Sequence, residues 1–202
     1  MAKIRPATLA RSRTLNLRGT WSEVIPGGVL RRGSTVLVEA ESAHGGVSVA
    51  LSLAAQASAE GLWAGVVGIR DPGVAAMVDL GLDLRRVLFV PSPQAAWAQA
   101  AADLLEGVDI LVLQPPAQIK SALARRLSDR ARERGVVVIV VAKDSSWPVP
   151  VEMNVRVTSS RWDAGSRLVS RVLRIRVSTR DRATSSFHDV ILPDPRGRVA
   201  TH

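Results

Sequence analysis

Between Thr35 and Ala142 the apolar residues fall in short continuous runs, separated by stretches with helical spacing. Continuous runs such as Thr35-Val36-Leu37-Val38-Glu39 and Val87-Leu88-Phe89-Val90 suit strands. The pattern predicts a strand at 35–39, a Gly-Gly break and a helix through about Ala59. A strand at Gly65–Ile69 follows, then a helix opened by the Asp71-Pro72-Gly73 turn and ending near Gly81. After the strand at Val87–Val90, Ser92-Pro93 starts an Ala-rich helix that ends at Gly107. Asp109–Leu113 reads as a strand, and a helix from about Ala117 to Arg134 carries Ile119, Leu123, Leu127 and Ala131 along one stripe. Gly135 stops it, and Val136 to Val141 is six β-branched residues in a row, the mark of a central strand. Strand alternating with helix predicts a mainly parallel sheet covered by helices.

After Ala142 the pattern changes. Asp144 to Pro150 reads as a loop. Val155-Arg156-Val157 and Arg171 to Val177 alternate apolar and polar residues, as half-solvated antiparallel strands do, and Phe187 to Leu192 is a weaker match. The expected fold is therefore α/β, with antiparallel strands at the C-terminal edge. The expected organisation is a basic N-terminal segment at 1–20, one domain at 21–192 and a flexible tail at 193–202.

Composition narrows the chemistry. A chain of 202 residues suits one domain with a sizeable core. Cysteine is absent, so disulfides, thiolate metal sites and cysteine nucleophiles are excluded. His44, His188 and His202 are too scattered for a histidine metal cage. The run from Val136 to Ala142 is far short of the roughly 18 residues that span a bilayer. The start, MAKIRPATLARSR, has no apolar stretch behind its charges, so a cytoplasmic protein is expected. Lys plus Arg is 27 against 18 Asp plus Glu, a formal charge of +9. Such a balance suits polyanion partners, or simply a solvated, arginine-rich surface.

The order strand, Gly-rich turn, helix from Thr35 to Ala59 is the setting of a phosphate-binding loop. A working loop reads G-x-x-x-x-G-K-[ST], in which backbone N–H groups cradle phosphate, lysine meets its charge and the hydroxyl holds magnesium. Here Ala40 stands at the first glycine, Gly45 at the second, Gly46 at the lysine and Val47 at the hydroxyl residue. Shifting the frame by one recovers Ser48 but still supplies no lysine. The acidic residue expected after the fourth strand is Gln114, which offers no anionic oxygen to a magnesium shell. Ala40, Gly45, Gly46, Val47, Ser48 and Gln114 are thus vestigial positions, and neither nucleotide, metal nor catalysis is expected at them.

These stretches resemble the RecA family over roughly residues 20 to 192. Gly27-Gly28-Val29-Leu30-Arg31-Arg32-Gly33 through Glu39 is similar to the family's entry to its phosphate loop. Asp71-Pro72-Gly73-Val74-Ala75 and Leu80-Gly81-Leu82-Asp83 through Leu88 resemble its D-P-x-x-A and L-G-V-D segments. The family's catalytic glutamate sits just before the D-P turn, where this chain has Gly68-Ile69-Arg70. The segments after the fourth and fifth strands, which carry the family's DNA-binding loops, are short here.

A small RecA-like chain with a dead site resembles the ImuA-prime (ImuA/SulA-like) family of the actinobacterial mutasome. That resemblance implies a non-catalytic accessory protein in SOS-induced mutagenic translesion synthesis. It would bind an ImuB-like Y-family polymerase homologue, with RecA as a further partner, weak non-specific DNA contact and recruitment to the nucleoid. A SulA-like cell-division inhibitor and a nucleotide-driven RecA-type ATPase are the alternatives.

Other residues carry weaker expectations. His44 reads as a solvated loop histidine, and neither Ser42 nor Ser48 sits in a nucleophile elbow. Of the tryptophans Trp21, Trp63, Trp97, Trp147 and Trp162, Trp63 and Trp97 are expected in the core and Trp147 at the surface. Arg125 and Arg126 on the basic helix, Trp147, and an edge-strand stripe of Arg171, Arg174 and Arg176 are the candidate partner contacts.

Overall fold

The computed structural model describes residues 13–41, 44–91, 93–116, 118–143, 147–164, 168–181 and 185–201. Regular structure begins before residue 21, which corrects the N-terminal boundary. Strand β1 (Thr14–Asn16) is followed by helix α1 (Thr20–Val24) and pairs antiparallel with β2 (Val29–Arg31). The cause is visible in Thr14-Leu15-Asn16-Leu17: alternation sends Leu15 and Leu17 into the main core beside Trp21. Trp21 is fully buried, and its indole N–H donates to Ser52 Oγ at 3.1 Å.

The parallel strands through Ala142 form where they were expected. They are β3 (Thr35–Glu39), β4 (Ala64–Val67), β5 (Val87–Val90), β6 (Ile110–Leu113) and β7 (Val137–Ala142). Between them run α2 (Gly46–Ala59), α3 (Val74–Asp79), α4 (Trp97–Leu104) and α5 (Ser121–Arg134). Helix α4 begins later than the Ser92-Pro93 signal because a short 3-10 turn at Gln94–Ala96 precedes it; Ser92 lies outside the described residues. Helix α5 begins at Ser121, and its buried stripe is Ala124, Leu127 and Ala131.

The C-terminal region contributes β8 (Met153–Ala164), β9 (Leu168–Thr179), β10 (Ser186–Ile191) and β11 (Ala200–Thr201). Together these strands make one nine-stranded sheet in the order β11-β10-β9-β8-β3-β7-β6-β4-β5. It is parallel from β8 through β5 and antiparallel from β8 outward to β11. The tail expected to fray is built into it: Ala200 pairs with Ile191, and the N–H groups of Arg196 and Arg198 donate to Asp194 Oδ1, each at 2.8 Å. Leu192 and Val199 hold this return against the core.

Two apolar layers flank the sheet. One gathers α2, Met77 of α3 and the N-terminal hairpin, and the other gathers α4, α5 and Trp147. In β9, Leu173, Ile175 and Val177 face the α2 layer, so Arg174 and Arg176 face the other side. A bulge between Val157 and Ser159 of β8 shifts the alternation by one residue. Before it Val155 and Val157 point to the α2 layer; beyond it Trp162 lies on that side and Arg161 on the opposite one. Among the described residues no helix is long and apolar enough to cross a membrane.

Candidate functional site

In open α/β sheets ligands gather beyond the carboxyl ends of the parallel strands. Here that end carries the turn from β3 into α2, and residues 42–43 of the turn lie outside the described residues. Gly45 takes φ of 92° just before the first helical residue, and no side chain caps the helix. The turn is drawn in tightly: a Cβ on Gly46 would stand 2.8 Å from the Cβ of Ala40. The lysine position therefore has no room for a side chain of any kind.

A different cation occupies the cradle. Arg171 of β9 reaches across so that a Cβ on Gly45 would lie 2.8 Å from its guanidinium carbon. Its Nη2 donates to Ser48 Oγ at 3.0 Å, its Nε donates to the Leu192 carbonyl at 2.9 Å, and the group stacks 4.8 Å from the Trp162 ring centroid. Arg171 is only 5% exposed, and burial pushes its guanidinium below its ordinary pKa. Held by those bonds against Gly45, the guanidinium covers the N-terminal end of α2, the part of the fold that cradles phosphate elsewhere.

The other vestigial positions fit the same picture. Glu39, at the end of β3, turns to the opposite face of the sheet. Its Oε2 accepts Asn154 Nδ2 at 2.6 Å and Arg156 Nε at 3.0 Å. Glu41 is exposed, with His44 Nδ1 3.8 Å from its carboxylate, and Val47 is a partly buried member of the α2 layer. At the end of β4, Gly68 has φ of 85°, and a Cβ there would stand 2.2 Å from the Gln114 carbonyl oxygen. Ile69 is buried in the core and Arg70 is exposed, so nothing before the Asp71-Pro72 turn supplies a carboxylate. Gln114 accepts Trp97 Nε1 on its carbonyl at 2.9 Å and lines, with Arg70 and four prolines, a cleft of about 370 Å³.

The candidate partner residues do not form one surface. Trp147 is 4% exposed and packed in the α4–α5 layer, which corrects its expected exposure; its neighbours 144–146 lie outside the described residues. Val149 and Val151, on either side of Pro150, pack against the same layer. The stripe Arg171, Arg174, Arg176 is split between faces, because 171 and 174 differ by an odd number on a strand. Arg125 and Arg126 are exposed on α5, and Arg126 borders a groove of about 470 Å³ between α4 and α5. Trp97 is buried as expected, whereas Trp63 is partly exposed beneath Arg86, 5.4 Å from its ring centroid.

The residues missed from sequence lie on β5, the outermost parallel strand. Leu88 and Phe89 point to opposite faces yet are 40% and 38% exposed, and Val74 and Val78 of α3 are exposed on the Phe89 side. The strand's outer edge is unpaired among the described residues.

The family model described as the MT3502 N-terminal domain matches residues 23–149. The chain belongs to that family. A relative, the uncharacterized protein Rv3395c of Mycobacterium tuberculosis, is 33% identical over 135 residues, 62% of this chain and 65% of that protein. The chain thus matches a little under two thirds of that relative's length. Among solved structures, the KaiC-like protein PH0186 of Pyrococcus horikoshii aligns over 94% of this chain and 99% of its own, with a TM-score of 0.63 at 15% identity. At that identity the likeness shows the fold alone: this MT3502-type chain has a RecA/KaiC-like core.

Proposed function

We propose that this protein is a non-catalytic RecA-like accessory factor of the ImuA-prime type, acting in DNA-damage-induced translesion synthesis. Its partner would be an ImuB-like Y-family polymerase homologue. The observation that carries the non-catalytic reading is the Arg171 guanidinium seated on Gly45, with no room for a side chain at Gly46 or Gly68. Surface rather than chemistry is what remains to be used, and the open β5 edge suits addition of a partner strand.

Millimolar ATP with magnesium should leave the melting midpoint where it is. A nucleotide at a hundred times its dissociation constant would add about 2.7 kcal/mol, roughly 5–11 °C for a domain of this size. A rise of that order would overturn the reading.

The partner surface is tested separately by co-purification with the ImuB-like protein. Replacing Leu88 and Phe89 together by lysine should abolish capture while the melting midpoint stays within a few degrees, since both side chains are substantially exposed. Undiminished capture would remove the β5 edge, and loss of capture on charge reversal of Arg125 and Arg126 would move the contact to α5.

A further inference from the structure

At the far end of the sheet from β5, the face of β8, β9 and β10 opposite the α2 layer carries side chains that the site above does not use. Register lines them up across the strands. Arg156 of β8 stands directly opposite Arg176 of β9, which stands opposite Phe187 of β10. The next row is Ser159, Arg174 and Asp189, and Arg161 lies one row beyond. Phe187 is 55% exposed.

Like charges directly opposite on neighbouring strands are unfavourable. Only part of this one is offset: the buried Glu39 carboxylate holds Arg156, with Nη2 at 2.9 Å, and Asp189 lies 3.8 Å from Arg174 Nε. Arg176 and Arg161 form no ion pair with a described carboxylate. The row therefore presents a fixed guanidinium, a second uncompensated one and an exposed aromatic ring, in that order.

We propose that this face binds an acidic segment of a partner protein, with a carboxylate between Arg156 and Arg176 and an apolar side chain against Phe187. Arginine pairs a carboxylate in two parallel hydrogen bonds, and arginine beside an aromatic ring is the composition of an interface anchor. The exposed carboxylates of Asp163 and Asp189 on the same face favour a peptide over a nucleic-acid strand. A continuous phosphate backbone would meet both, whereas a peptide can place its charges only where the arginines stand. The inference goes beyond the proposed function and stands whether or not the chain serves a polymerase. If both hold, the protein is an adaptor with one docking surface at each end of its sheet.

The test uses fluorescence anisotropy with the full chain at low salt. The probe is a short labelled peptide alternating glutamate with leucine, beside its lysine counterpart and a labelled oligothymidylate. The glutamate peptide should bind and weaken as salt rises. Arg176→Glu should weaken it at least about tenfold, Arg176→Gln less, and Phe187→Ala several-fold, with melting midpoints unchanged. Arg125→Glu on α5, an exposed cation elsewhere, should change nothing. Three outcomes would overturn the proposal: no binding of the glutamate peptide, an equal loss in Arg125→Glu, or tighter binding of oligothymidylate that the Arg176 variants abolish.

Discussion

Asp109→Ala is expected to cost about 3–5 kcal/mol, which for a domain of this size is a fall of roughly 6–20 °C in melting midpoint. Asp109 Oδ1 accepts Arg32 Nη1 at 3.0 Å, and Oδ2 accepts the Trp63 N–H at 3.1 Å. The two side chains are 7% and 10% exposed, so removing the carboxylate strands a buried guanidinium and an amide together. The cost is the uncompensated charge, not the worth of the pair. Asp109→Asn with Arg32→Met removes both charges, keeps an acceptor for Trp63 and eliminates the Arg32 Nε that has no acceptor. That double variant should recover most of the loss. Thermal or denaturant melts decide it, and a single-variant loss below about 1 kcal/mol would show the pair to behave as an exposed one.

Trp147→Ala is expected to cost about 3–5 kcal/mol as well, by emptying a large volume in the layer shared with Leu37, Val140 and Leu127. Trp147→Phe should be far milder. It keeps most of the packing and removes an indole N–H that is buried without a partner. A surface tryptophan would behave differently: both variants would melt like the wild type. Denaturant midpoints for the pair distinguish the two positions.

Much of the architecture was legible because parallel strands need continuous apolar runs and the helices between them need a stripe. Val137 to Ala142 could scarcely be anything but a central strand. The dead phosphate loop was legible for a similar reason, since an absent lysine can be read without coordinates. What filled its place was less open to view, because Arg171 arrives from β9, more than a hundred residues along the chain. Parity did hold the clue: an odd-numbered arginine among Leu173, Ile175 and Val177 must share their inward face.

Elsewhere local pattern misled for physical reasons. Val87-Leu88-Phe89-Val90 reads as a strand, and nothing in the run itself tells that it is the last in the parallel order with, among the described residues, no neighbour beyond it. Asp144 to Pro150 reads as a loop at the surface, but a loop can bend back, and the apolar residues around Pro148 gave this one reason to. The short β1 and β11 lie below the length at which alternation is informative, and each is held by one pairing and a few core leucines or valines.

The bulge in β8 has a consequence for how this sequence can change. Because the extra residue between Val157 and Ser159 reverses the alternation, Trp162 lies over Arg171 and Arg161 stands on the arginine face. Deleting Thr158 would remove that extra residue and leave Ser159 opposite Arg174 and all that follow on their present faces, whereas one residue inserted beyond the bulge would exchange those faces. With such an insertion before Arg161, Trp162 would leave the guanidinium that covers the loop after β3, and Arg161 would be driven toward the α2 layer. Along this strand, then, substitutions should accumulate where single-residue insertions do not, and loss of Thr158 is the length change the register absorbs. What descent must preserve beyond the bulge is a count of residues, with their identities second.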